Sequence, residues 1–180
     1  MILELAKGIL ESVRADVLIQ NRVAVDGQTI RVKTTEDLRI EIKKPVHVIA
    51  VGKAAQHMAK LVKTSYNHFS RAMVDILSPS NVHCVYINGM PNTELKHRIP
   101  IDNLHVTHGS LSNKPNLDII RGTRRICDHI KEIDSMTNKP NDELIVLLLS
   151  GGGSSLFCLP REVERNLNLT LSLTEGRGTG

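Results

Sequence analysis

Leu3, Ala6, Ile9, Leu10 and Val13 recur at helical spacing, which predicts an amphipathic helix over residues 3 to about 18 with its apolar stripe turned to a core. The pattern then changes period. Val23-Ala24-Val25 and Thr29-Ile30-Arg31-Val32 flank Asp26-Gly27, the signature of a β-hairpin. A charged segment, residues 36–44, ends at the breaker Pro45, and Val46-His47-Val48-Ile49-Ala50-Val51 reads as a buried strand closed by Gly52. Residues 53 to about 68, rich in Ala, Met and Lys, follow as a helix. Val82 to Ile87 is a further strand ending at the turn pair Asn88-Gly89. Residues 91–115 hold Pro91, Pro100 and Pro115 and read as loop, with one short extended piece at Leu104 to Val106. Leu117 to Ile133 returns to helical spacing. Six apolar residues, Leu144 to Leu149, then fit a strand buried on both faces.

Strand and helix alternate through the middle of the chain, so the expected architecture is α/β: a Rossmann-like, mainly parallel sheet flanked by helices. There is no internal repeat. From Leu167 to Leu173 every second residue is leucine, a strand-like alternation in a place where a glycine turn should feed a helix. That conflict marks residues 161–180 as a divergent, poorly ordered tail on a domain spanning 1–160.

Composition narrows the function classes. With 180 residues, 41% hydrophobic and 23% charged, the chain can bury a core of its own. Aromatics at 2% supply no base-stacking platform, and a net charge of +4 spread along the chain gives no basic stripe. The densest run, Arg121 to Arg125, falls on a helix as a solvated face, so nucleic acid is not an expected partner. No segment reaches membrane-spanning length, and the start carries Glu4 and Glu11 rather than a leader-like apolar run, so a cytoplasmic location is expected, with the mitochondrion as the other possibility. Cys84, Cys127 and Cys158 lack C-x-x-C spacing, which argues for a reducing compartment and against a disulfide frame or structural zinc. Cys84 and Cys127 sit among apolar residues and read as small core residues.

Candidate chemistry concentrates at two strand ends. Ser150-Gly151-Gly152-Gly153-Ser154-Ser155 follows the last strand, and such a turn can aim several N–H groups and hydroxyls at one phosphate or carboxylate. Glycine clusters also make plain turns. Gly52-Lys53-Ala54-Ala55, with Met58-Ala59 a turn later, puts a lysine where a strand's carboxyl end meets a helix start. A cation there is uncomfortable beside the positive helix end, which favours an anionic partner, although a solvated surface lysine is the plainer reading. Neither segment is a Walker loop, a dinucleotide fingerprint or a nucleophile elbow. His105 and His108, with Asp102 and His97 upstream, form no second pair at ligand spacing, so no metal site is expected from them.

On these residues the chain resembles the class II glycerate kinases, the glycerate 2-kinase family. Val48 to Ala55 with Met58-Ala59 is similar to that family's strand-GKAA-helix segment. Leu148 to Leu156 resembles its Ser-Gly-Gly-Gly-Ser-Ala-Leu motif, and Gly109 to Asn116 a loop that usually reads Glu-Gly-Ala-x-x-Asn-x-Pro-Asp. The resemblance covers residues 1 to about 160 and implies ATP- and Mg²⁺-dependent phosphorylation of D-glycerate to 2-phosphoglycerate. By that resemblance Lys53 is catalytic, Ser150, Gly151, Gly152, Gly153 and Ser154 hold substrate or phosphate, and Gly52 and Ala54 contact the nucleotide. His108 stands where the family commonly has Glu, and Asn116 where it has Asp. Members of the family are about twice this length or more, so the expectation is a truncated N-terminal domain, inactive alone, able to form homo-oligomers. Two other readings stand beside it: a non-catalytic α/β module that binds an anion or pairs with other subunits, and a sugar-phosphate-binding domain.

Overall fold

Val46 to Gly52 is the centre of the molecule: every one of its seven residues is buried. A computed structural model describes residues 15–59, 73–91, 103–110, 114–136 and 143–159. In chain order the elements are α1 (Ala15–Arg22), β1 (Val23–Asp26), β2 (Thr29–Val32), β3 (Leu38–Glu41), β4 (Val46–Gly52), α2 (Ala55–Ala59), α3 (Met73–Leu77), β5 (Val82–Gly89), β6 (Leu104–His108), α4 (Leu117–Met136), β7 (Ile145–Leu149) and α5 (Gly153–Leu156). Four strands form a parallel sheet in the order β6-β5-β4-β7, and β1-β2-β3 form a separate antiparallel sheet. The fold is α/β, as the alternation of patterns implies. Among the described residues no helix is long and apolar enough to cross a membrane.

Period-two alternation in β4 sorts the core into two layers. Val46, Val48 and Ala50 join Val85, Ile87 and Leu148 against Ala55, Met58 and Ala59 of α2, Met73, Val74 and Leu77 of α3, and Ile30 of the small sheet. Ile49 and Val51 point the other way, against Ile119 and Ile126 of α4 and Leu156 of α5. Each of these large aliphatic side chains contributes about 1.5–3 kcal/mol by leaving water. Glycine at 122 lets α4 come close: a Cβ there would lie 2.5 Å from Thr107 Oγ1 and 2.6 Å from Asn88 Oδ1.

Several sequence expectations shift. The hairpin turn is Gly27-Gln28, one residue later than Asp26-Gly27, because Asp26 pairs with Thr29 and the positive φ of 58° falls on Gly27. The charged segment contains a strand, β3, whose Ile40 reaches the core while Leu38 stays exposed. Asn88-Gly89 is not a turn but the end of β5, paired with Val51-Gly52. The final apolar strand is not buried on both faces: β7 lies at the sheet edge, with Leu147 55% and Leu149 64% exposed. Helix α1 runs four residues past the expected end at 18. The rest of that helix, residues 60–68 of the Lys53 helix, and the 161–180 tail lie outside the described residues.

Candidate functional site

All four strands of the large sheet are parallel, so their carboxyl ends share one edge. There Gly52 pairs with Gly89, Gly89 with His108, and Val51 with Leu149, the residue before Ser150. The row His108–Gly89–Gly52–Ser150 therefore spans about 14–15 Å at the usual strand spacing. Its two middle positions are glycines, and in an open parallel sheet this is the edge where ligands bind.

The two motifs singled out in the sequence interlock at this edge. The Lys53 amide donates to the Gly151 carbonyl at 2.9 Å, and the Ser150 amide to the Val51 carbonyl at 2.9 Å. Ser150 Oγ accepts from the Ala54 amide at 3.0 Å and itself donates to the Val51 carbonyl at 3.4 Å. Glycine is required at 52 because φ is +119° there and a Cβ would sit 2.2 Å from Ser150 Oγ and 2.6 Å from the Ser150 carbonyl oxygen. Across the sheet, Asn88 is buried and its Nδ2 donates to Thr123 Oγ1 at 3.3 Å and to the Leu156 carbonyl at 3.2 Å. That pair of bonds pins α5, and with it the glycine turn, to β5 and α4.

Within the turn the groups divide into those that build it and those left over. The Gly153 amide closes onto the Ser150 carbonyl at 3.2 Å, and the Ser155 and Leu156 amides onto the Gly152 carbonyl at 3.2 Å. Gly152 takes a left-handed conformation, φ 81°. Among the described residues the amides of Gly151, Gly152 and Ser154 are not engaged, and a Cβ at Gly151 or Gly153 would meet nothing within 4 Å. Lys53 is exposed and makes no ion pair among the described residues. So Lys53, Gly52, Ala54 and Ser150 to Ser154 are brought together, with Ser150 serving as the joint and the glycines fronting open space.

The other predicted residues disperse. His108 Nδ1 lies 3.3 Å from Gln56 Nε2, whereas His105 stacks on Tyr86 with ring centroids 4.6 Å apart, so the two histidines do not converge. Asn116 caps α4: its Oδ1 accepts from the Ile119 amide at 2.9 Å, a task asparagine performs as well as aspartate. Asp102 and His97 lie outside the described residues. Gln56 is a site residue that sequence reasoning missed. It is buried, donates to the Met90 carbonyl at 3.1 Å, and leaves Oε1 without a hydrogen-bond partner among the described residues. Nothing local in the sequence announces it, since its role comes from the pairing of β4, β5 and β6.

Comparison with known protein families matches residues 1–175 to the family described as a domain of unknown function, DUF4147. The chain belongs to that family. A solved structure with a similar fold, the crystal structure of the PH0495 protein from Pyrococcus horikoshii OT3, shares 26% identity and a TM-score of 0.62. The alignment covers 99% of this chain and 35% of the archaeal one, so this DUF4147 chain spans about a third of that protein's length. No curated protein matches.

Proposed function

We propose that this DUF4147 chain carries one wall of the active site of an ATP-dependent glycerate 2-kinase, the wall that holds the phosphoryl groups. The observation that carries the reading is the 2.9 Å bond from the Lys53 amide to the Gly151 carbonyl, which sets a lysine beside a glycine turn with unengaged amides. Phosphoryl transfer is mostly positioning and electrostatic stabilisation, and a point charge with an amide cradle supplies both. In the reaction the glycerate 2-hydroxyl oxygen bonds to the γ-phosphorus, the bond to the β–γ bridging oxygen breaks, ADP leaves, and the hydroxyl proton goes to solvent. Lys53 neutralises charge on the transferring group, while the amides of Gly151, Gly152 and Ser154 bind phosphate or carboxylate oxygens. The unfilled Oε1 of Gln56 suits a substrate hydroxyl.

The donor set fits ATP phosphates and does not fit Mg²⁺. That ion prefers carboxylate and other hard oxygen ligands. Residues 52–56, 89–91, 108–110 and 150–155 contain no Asp or Glu, so no step is assigned to the metal. The same fact favours a second reading, a non-catalytic anion-binding module that pairs with other subunits.

An amide-resolved NMR titration with Mg·ATP and then D-glycerate tests the proposal. Shifts are expected at Lys53 and at 151–155, and Lys53→Ala should abolish them. A dispersed spectrum in which those amides ignore both ligands would end the kinase reading. Shifts without phosphorylation of D-glycerate, even with the remaining part of a longer DUF4147 protein added, would favour the binding module.

A further inference from the structure

At the opposite, amino end of the large sheet, three residues far apart in sequence point their ligating atoms at one spot on the α4 face. His47 is the second residue of β4, Cys84 the third of β5, and His129 lies in the second half of α4. His47 Nδ1 is 2.9 Å from His129 Nε2 and 3.3 Å from Cys84 Sγ, and Cys84 Sγ is 3.2 Å from His129 Nε2. His47 and Cys84 are buried and His129 is nearly so.

A hydrogen-bond partner behind the ring sets the tautomer of His47. Glu143 Oε2 lies 3.3 Å from His47 Nε2, and an ionised carboxylate only accepts, so the imidazole proton belongs on Nε2 and the Nδ1 lone pair faces the gap. Glu143 is itself held by Lys44 Nζ at 2.8 Å. Glu132, largely exposed, stands 3.8 Å from His129 Nδ1, an ion-pair distance rather than a hydrogen bond, and leaves both tautomers of His129 open. The His47 Nδ1 lone pair, His129 Nε2 and the Cys84 sulfur then meet at contact distance, three ligating atoms that one cation can span. A carboxylate hydrogen-bonded behind a ligating imidazole, as Glu143 is behind His47, is also the usual outer support of a metal-bound histidine.

We propose that His47, Cys84 and His129 bind one Zn²⁺ ion, with a water molecule in the fourth position. Zinc takes imidazole nitrogen at about 2.0–2.1 Å and thiolate sulfur at about 2.3 Å in a tetrahedron, whose edges are then about 3.4 Å between nitrogens and 3.6 Å between nitrogen and sulfur. The three atoms sit about 0.3–0.5 Å closer together than those separations, and an outward movement of that size admits the ion. One thiolate and one imidazole pair select zinc over magnesium or calcium, which want oxygen. Burial acts in the same direction as the geometry: it lowers the affinity of His47 and His129 for protons and so favours the neutral, ligating form. Burial also pushes the Cys84 thiol up to about 11, and the ion's charge reverses that by binding the thiolate directly. Ring contacts fix the ligands from the sides: His83 against His47, and Tyr86 against His129, each with centroids 5.0 Å apart. The ion would tie β4, β5 and α4 together at the end of the sheet remote from the glycine turn.

Cobalt titration of the chelator-treated full chain tests this. One equivalent of Co²⁺ should give a thiolate-to-cobalt charge-transfer band with tetrahedral visible bands, and Zn²⁺ should remove them. Cys84→Ser should lose the charge-transfer band while Cys127→Ser and Cys158→Ser keep it, and Glu143→Gln should weaken zinc binding about 10–100-fold. X-ray absorption on the wild-type zinc complex needs no variant and should show one sulfur at about 2.3 Å with imidazole nitrogens. A folded wild-type chain without the cobalt band, a band that survives Cys84→Ser, or a zinc shell of nitrogen and oxygen alone would each overturn the proposal.

Discussion

The two ends of the parallel sheet are built from different materials. At the carboxyl end, the site is made of backbone: glycines, amides and one serine joint, contributed by two short contiguous stretches, 52–54 and 150–155. At the amino end, it is made of side chains, His47, Cys84 and His129, separated by 37, 45 and 82 positions. The first depends on what a glycine permits, and the second on what a sheet and a helix bring together. A backbone-built site should fail abruptly when a Cβ is added at the joint. A side-chain cluster should respond gradually to protonation.

The largest effect is expected at the joint. Gly52→Ala forces a Cβ into the Ser150 backbone at a φ of +119°, and should destabilise the fold by about 2–4 kcal/mol in urea unfolding. Ser150→Ala should cost about 1–3 kcal/mol, because the partly buried Ala54 amide loses its acceptor. Its mark would be a lower midpoint together with faster hydrogen exchange at Ala54. Were both variants silent, the two turns would not be coupled, and the carboxyl edge would lose its claim to be one site.

The amino end should show itself through pH. Burial is the main cause that lowers the pKa values of His47, His105 and His129 below the ordinary 6.5. In that situation the unfolded chain takes up protons before the folded one does. Stability is therefore full above 6.5 and falls as pH drops from there through the lower folded values. Unfolding midpoints of the metal-free chain compared at pH 8 and pH 5.5 should show the loss, and His129→Gln should reduce it. A flat profile would mean the rings take up protons equally in the folded and unfolded chain, so burial does not disfavour their charged form. The smallest effect is expected at Gly151→Ala, where a Cβ meets nothing within 4 Å: stability should stay within about 0.5 kcal/mol. Any loss there should appear in anion binding instead, which separates the ligand-facing glycine from the structural one.

Much of the carboxyl edge was legible because its chemistry is contiguous. An apolar run followed by Gly52, and another followed by Ser150-Gly151-Gly152-Gly153, each declare a strand and its turn within a dozen residues. The same logic gave α4 and the small hairpin. What escaped were features defined by neighbours. Leu147 and Leu149 look like core residues in the sequence and are exposed because nothing among the described residues covers that face of an edge strand. Asn88-Gly89 has turn chemistry, yet parallel pairing with β4 holds it extended. Gln56 became a buried residue only when α2 settled over the ends of β5 and β6.

Cys84 carries the point furthest. Its apolar surroundings and the missing C-x-x-C spacing predict a small core residue, and burial bears that out. Its neighbours do not follow from spacing. Parallel register sets His47 opposite Cys84, and a twenty-residue helix running back over the sheet delivers His129 to the same point. By itself the sequence determined local periodicity and two glycine-bearing strand ends, one carrying Lys53 and the other the turn from Ser150 to Ser154, because each depends on residues within a few bonds of one another. Tertiary structure alone decided which strand lies at the edge, that the two turns share a joint, and that three distant side chains converge. Those outcomes depend on strand order and register, which follow from how the whole chain buries its apolar faces.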